Sequence, residues 1–314
     1  MTERIARLRA QSMNAKPRVD PERALIVTEA YKAMPSALPA PMQRALAFKA
    51  ICERKSVYIG QDDLIVGERG SGPKMTSTFP ELTCHSVEDL QTLRSRPMTS
   101  YDVDDSTIDV YRATVIPYWR GRCVRDRAFS SLPAEWLALY EAGVFTEFME
   151  QRAAGHTALD GLLYRKGLRA IRSDVAASRE RVARDDPRRD EKLAELDAMA
   201  MSCDAAVTLA ERHAELATSM AKSEKNHDRA VELLEIAEVC RRVPAEAPRT
   251  FHEALQAYWF VHLGTITELN GWDAMSPGHL DQHLAPFYER DVAEGRLTRE
   301  RAAELLSSFW ITVK

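Results

Sequence analysis

ITELNGWDAMSPGHLDQHLAPFYERD, residues 266–291, joins a loop of small and polar residues to a run in which His279 and His283 stand four apart. Ser276 is a favoured helix N-cap and Pro277 suits a first helical position, so the pattern predicts a helix opening there. At about 100° per residue the two imidazoles would share one face of it. Such a pair can bind metal. However, HLDQH lacks the glutamate directly after the first histidine that zinc proteases use, and nothing in the sequence nominates a third or fourth ligand. The expectation is therefore two histidines that hydrogen-bond or pack, with no metal.

On the N-terminal side, TFHEALQAYWFVHLGTITE (250–268) reads as an apolar helix opened by Thr250 as its cap. HDRAVELLEIAEVCRRVP makes the helix before it, stopped ahead of Pro244. Leu193, Leu196, Ala200, Cys203, Val207 and Ala210 step by three or four, which predicts a long helix in mid-chain. DDPRRD (185–190) is the turn before it, within RERVARDDPRRDEK, a solvated face. PERALIVTEAYKAM (21–34) and MQRALAFKAICERKSV (42–57) are two further helices separated by the breaker PSALPAP. LIVGE (64–68) is either a strand or an irregular buried loop, and residues 70–100 read as a long ordered loop. IDVYRATVIPYWRGRCVRDRAF is helical up to Pro117 and again beyond it. Trp119, Trp259 and Trp310 are expected in the core.

With 314 residues, 45% hydrophobic and 29% charged, the composition is that of a globular protein with a sizeable core. The net charge of −4 comes from interspersed acidic and basic residues, which argues against a nucleic-acid partner. No apolar run reaches the roughly 18 to 20 residues of a membrane span, and MTERIARLRAQ has no signal-peptide core, so no membrane partner and a cytoplasmic location are expected. The five cysteines (Cys52, Cys84, Cys123, Cys203, Cys240) include no CxxC pair and read as reduced, mostly buried thiols. The turn from Gly67 to Gly72 lacks the lysine and serine of a phosphate loop, which removes nucleotide binding.

NGWDAMSPGHLDQHLAPFY (270–288) resembles a segment of the glycyl radical enzymes, the pyruvate formate-lyase-like family, in which (S/N)PGR(L/F)DQ is followed by an aromatic-proline pair. Four more stretches are similar to family segments in the same order: VYIGQDDLIVGERGSGPKMTSTFPEL, VIPYWRGRCVRDRAF, FTEFMEQRAAGHTALDGLLYRKGL and TFHEALQAYWFVHL. His279 departs from the pattern, standing where the family usually has arginine.

The resemblance implies a mainly α fold with a few strands, the N-terminal part of a ten-stranded α/β barrel, with residues 1–314 as one partial pyruvate formate-lyase-like domain. It implies a radical lyase or dehydratase that removes a leaving group from a small polar substrate. Its radical would be stored on a backbone glycine, passed to a loop cysteine, and installed by an activating enzyme with an iron–sulfur cluster and S-adenosylmethionine. The family's radical cysteine and glycine both fall after Lys314, and none of the five cysteines has the expected Cys-Val/Gly-Glu context. RAAELLSSFWITVK also has no Gly or Pro stop, so the chain is expected to be a fragment, inactive alone and homodimeric when full length.

By matching positions, Arg152 is the candidate clamp for an anionic or hydroxyl group and His156 the candidate acid or base at the leaving group. Guanidinium offers a planar charged fork, and imidazole titrates near neutrality. The bland alternative pairs Arg152 with Glu147 or Glu150 and leaves His156 capping a turn. Trp272, beside Asp273, is a candidate pocket residue. Rival functions are a formate acetyltransferase-like or arylacetate decarboxylase member of the family, or a stand-alone helical binding protein without catalysis.

Overall fold

A computed structural model of the chain describes residues 2–35, 37–145, 159–269 and 277–313. In chain order the elements are α1 (Glu3–Asn14), β1 (Arg18–Asp20), α2 (Glu22–Ala33), α3 (Ala40–Arg54), β2 (Met75–Ser77), α4 (Val87–Ser95), α5 (Asp105–Val110), α6 (Ile116–Trp119), α7 (Val124–Ser130) and α8 (Ala134–Glu141). There follow α9 (Leu168–Glu180), α10 (Arg189–Ser223), α11 (His227–Arg242), α12 (Phe251–Glu268), α13 (Leu280–Ala293) and α14 (Arg299–Val313). β1 and β2 pair in parallel with Val19 opposite Thr76, and Asp102 bridges to Arg18 on β1. The chain is thus mainly helical with few strands among the described residues.

The largest core cluster is built around α12, where nearly every residue from Phe251 to Thr267 is buried. A helix apolar on all sides can only be an interior one. Thr250 caps it as the sequence predicts, its hydroxyl accepting from the Glu253 N–H at 3.2 Å. The 35-residue α10 lies against α3, α9 and α11. Ala205, Ala210, Ala214 and Ala217 on its buried side are small enough to let neighbouring helices approach closely.

LIVGE forms the irregular buried loop of the two alternatives, not the strand. Leu64, Ile65 and Val66 are buried, and α12 side chains take the place of a neighbouring strand. The Gln256 carboxamide accepts from Val66 N–H at 2.9 Å and donates to the Val66 carbonyl at 2.8 Å. His252 Nε2 donates to Leu64 O at 2.8 Å, and Trp259 Nε1 to Gly67 O at 2.7 Å. Buried backbone groups need partners, and here three helix side chains supply them.

Residues 70–100 are not one long loop, because they contain β2 and α4. The missed signal for α4 is a capping box, in which Ser86 accepts from Asp89 N–H at 3.1 Å and Asp89 accepts from Ser86 N–H at 2.8 Å. Around Pro117 the helix runs on without a break. A π turn over Tyr111–Val115, closed by Ile116 N–H on Tyr111 O, widens the backbone and makes room for the proline ring.

Gly167 is the N-cap of α9, where a Cβ would lie 2.2 Å from the Ala245 carbonyl oxygen. That approach lets the carbonyls of Pro244 and Ala245 accept from Leu168 N–H at 2.8 Å and Arg169 N–H at 3.0 Å. Trp119 and Trp259 are buried, but Trp310 is 49% exposed, against expectation. α14 buries Ala302, Leu305, Ser308 and Phe309, and Trp310 lies one residue off that stripe.

Acid should loosen this core in a defined window. His213 is fully enclosed, with Nδ1 on Leu209 O at 2.8 Å and no partner for Nε2 among the described residues. Burial holds its pKa down at about 4, with Lys55 and Arg212 adding to the shift. His262, 3.0 Å from the Tyr258 hydroxyl, is likewise held at about 4 by burial and by Arg69. Because the unfolded chain takes up these protons first, stability is complete above pH 6.5 and falls as pH drops towards 4, by up to ~1.4 kcal/mol per pH unit for each proton. Denaturation midpoints in urea across this range, with His213→Gln flattening the slope, would show it.

Candidate functional site

Arg152, His156 and Trp272, together with Glu147, Glu150, Asp273 and Ser276, lie outside the described residues. The structure instead describes the supports at the ends of their segments, 146–158 and 270–276.

The second segment follows the C-terminal end of α12, where carbonyls lack helical partners. Two arginines from other helices hold that end. Arg23 on α2 is 4% exposed and donates through Nε to Thr267 O at 2.7 Å and through Nη1 to Thr78 O at 3.0 Å. It is ion-paired with Glu81, and its guanidinium lies 3.8 Å from the Phe79 ring centroid. Arg44 on α3 is ion-paired with Glu268. The planar fork of arginine suits this task, since it reaches carbonyls and a carboxylate at once. Sequence reading passed over both arginines, because the Arg23–Thr267 bond joins residues 244 apart.

Beyond the segment, Gly278 takes a left-handed φ of +64°, so the helix expected from Pro277 opens only at Leu280, with His279 at its N-cap. His279 is exposed, while His283 turns to another part of the chain. Its ring stacks on Tyr164 with centroids 5.0 Å apart, and its Nε2 lies 3.2 Å from Asp160 Oδ1. The expectation of packing and hydrogen bonding is met at His283. No group of three potential metal ligands comes together among the described residues.

Asp160 belongs to the turn that follows the first segment. Leu159 and Asp160 have φ of +59° and +43°, a conformation costing a non-glycine residue on the order of 1 kcal/mol or more. Leu159 and Leu269, the described residues at the inner ends of the two segments, line the same cavity of about 490 Å³. Phe48, Ala198, Cys203 and Val261 give it apolar walls, with Arg44 and Glu268 at one side. One described flank of each candidate segment, Leu159 after the first and Leu269 before the second, thus meets the same cavity.

Thiolate chemistry is disfavoured at four of the five cysteines. Burial pushes Cys52 and Cys84 up to about 12 and raises Cys203 and Cys240 as well, so these thiols stay protonated at neutral pH. Cys123 is buried at the start of α7, its sulfur accepting from Asp126 N–H at 3.4 Å. All five are free, as expected.

The pyruvate formate lyase-like family model matches residues 1–314. Trans-4-hydroxy-L-proline dehydratase of Clostridioides difficile is 46% identical over 310 residues, 98% of this chain and 39% of that enzyme. Isethionate sulfite-lyase of Nitratidesulfovibrio vulgaris is 32% identical over 326 residues, 98% and 38% of the two chains. The crystal structure of hydroxyproline dehydratase from Clostridioides difficile, with trans-4-hydroxy-L-proline bound, superimposes with a TM-score of 0.95 at 45% identity, covering 99% of this chain and 40% of that one. The chain thus spans about two fifths of the length of these relatives. With the family model matched end to end and the fold superimposed almost throughout, the chain belongs to the pyruvate formate lyase-like family of glycyl radical enzymes.

Proposed function

We propose that this chain is the substrate-positioning part of a glycyl radical dehydratase whose substrate is a small cyclic hydroxy amino acid of the trans-4-hydroxy-L-proline type. The observation that carries the reading is the TM-score of 0.95 over 99% of the chain with a dehydratase holding that substrate. The higher identity to the hydroxyproline enzyme, 46% against 32%, favours dehydration over release of sulfite from isethionate.

In this reading residues 1–314 are one partial domain, and the helices with β1 and β2 are outer helices and first strands of the family's ten-stranded barrel. Arg152 clamps the substrate carboxylate, His156 protonates the departing hydroxyl so that it leaves as water, and Trp272 closes one side of the pocket. Hydrogen-atom transfer belongs to a cysteine and a glycyl radical within the remaining three fifths of the relatives' length. A cytoplasmic activating enzyme with an iron–sulfur cluster and S-adenosylmethionine generates the radical, and the complete enzyme is a homodimer. Formate acetyltransferase-like and arylacetate decarboxylase activities are less favoured, since the two relatives named above are a dehydratase and a sulfite-lyase. A non-catalytic binding role stands behind these.

The test is an anaerobic assay of the polypeptide carrying this chain, radical content being followed by electron paramagnetic resonance. Trans-4-hydroxy-L-proline and isethionate are offered in parallel. Consumption of the first with loss of one water per turnover is expected. Sulfite release from the second would move the assignment to a sulfite-lyase, and a radical-loaded protein that consumes neither would refute both.

A further inference from the structure

Leu159 enters a single 3-10 turn, closed by Leu162 N–H on Leu159 O at 3.0 Å, from the left-handed region, which aspartate visits readily and leucine does not. Neither residue is glycine, yet both sit at positive φ, where L-residues are disfavoured and a leucine especially so. A conformation that the local sequence opposes persists only where the surroundings impose it. Contacts from outside the turn come from α13. His283 Nε2 lies 3.2 Å from Asp160 Oδ1, and the His283 ring lies nearly parallel, at 24°, to the Tyr164 ring four residues further along the chain. Phe287, one turn on from His283, meets the same Tyr164 ring at 6.1 Å. Gly161 follows Asp160, and a Cβ there would stand 3.2 Å from His283 Cε1 and 3.1 Å from Arg165 Nη1. The absent side chain is what lets the imidazole lie against the turn.

We infer that His283 is a positioning residue, whose bond to Asp160 and stacking on Tyr164 hold the Leu159–Asp160 turn in its left-handed form and so fix the point where the segment bearing Arg152 and His156 rejoins the helical body. His156 is three residues before Leu159 in the chain. The consequence for substrate rests on the role proposed above for Arg152 and His156, whereas the latch itself rests on described residues alone. This also answers what the histidine pair of HLDQH does, as the second of the two ties α13 to a turn 123 residues away.

Hydrogen–deuterium exchange of the polypeptide carrying this chain tests it without substrate. His283→Phe keeps an aromatic ring on Tyr164 but removes the donor to Asp160. It should raise exchange of the 159–165 amides by about tenfold, leaving α10, α12 and the melting temperature unchanged. His283→Gln, whose amide N–H reaches the position of Nε2 while giving up the stacking, should restore the bond to Asp160 and keep exchange within about threefold of the parent. In a Leu159→Gly background, where the turn no longer opposes its own sequence, His283→Phe should add less than about threefold. Unchanged exchange in His283→Phe, or an equal increase with and without Leu159→Gly, would overturn the inference. Separately, Arg152→Gln and His156→Gln proteins that exchange like the parent and still turn over substrate normally in the complete enzyme would overturn the roles of those two residues and leave the latch standing.

Discussion

Trp259→Ala should lower the unfolding free energy by about 4 kcal/mol, measured by urea denaturation at pH 7.5. The indole is fully enclosed within the cluster around α12, and truncation leaves a cavity that the packed helices close only in part. It also orphans the Gly67 carbonyl, to which Nε1 donates at 2.7 Å. The loop and the indole are in close contact there, since a Cβ on Gly67, whose φ is +122°, would lie 3.0 Å from Trp259 Nε1 and 2.9 Å from Leu263 Cδ2. Trp259→Phe separates the two losses. It keeps most of the apolar volume and forfeits the hydrogen bond, so about 1–2 kcal/mol is expected. A phenylalanine variant as unstable as the alanine one would show that the bond to the loop outweighs the packing.

Arg23→Ala should cost about 3 kcal/mol, because it strips the partly buried Glu81 carboxylate of its partner instead of removing the pair. Glu81 loses its guanidinium, the carbonyls of Thr78 and Thr267 lose their donors, and the Phe79 ring loses the cation above it. Arg23→Lys should recover less than half, since one ammonium cannot serve two carbonyls and a carboxylate from a single plane. With Arg23 4% and Glu81 17% exposed the pair is largely sheltered from salt, so most of the loss should persist at 1 M NaCl. A lysine variant equal to the parent would refute the fork argument. The Thr267 carbonyl held by Arg23 lies five residues before Trp272, so this variant also bears on the candidate segment.

Much of this architecture was legible in the one-dimensional pattern. The span of α11, the Thr250 cap, the turn at Pro187 and the long apolar step through α10 depend on neighbours three or four residues apart, and helix formation responds to those neighbours. The family resemblance was legible for a similar reason, since five ordered motifs each carry local constraints.

Other features answer only to tertiary structure. LIVGE reads equally as strand or loop, and the side chains that settle it, His252, Gln256 and Trp259, stand about 190 residues away along the chain. Trp310 has the composition of a core residue, but which stripe of α14 turns inward is decided by what packs on it. The opening SPGHLDQH shows both limits together. Its serine and proline favour an early helix start, yet Gly278 takes the left-handed form and delays it to Leu280. The four-residue histidine spacing suggests a shared face, yet His283 is claimed by Asp160 and Tyr164 from a distant part of the chain. Sequence by itself determined the longest helices and the family, because periodicity and capping are local. Only the tertiary structure decided which buried polar groups meet, because each such bond joins residues whose separation along the chain carries no signal of their contact.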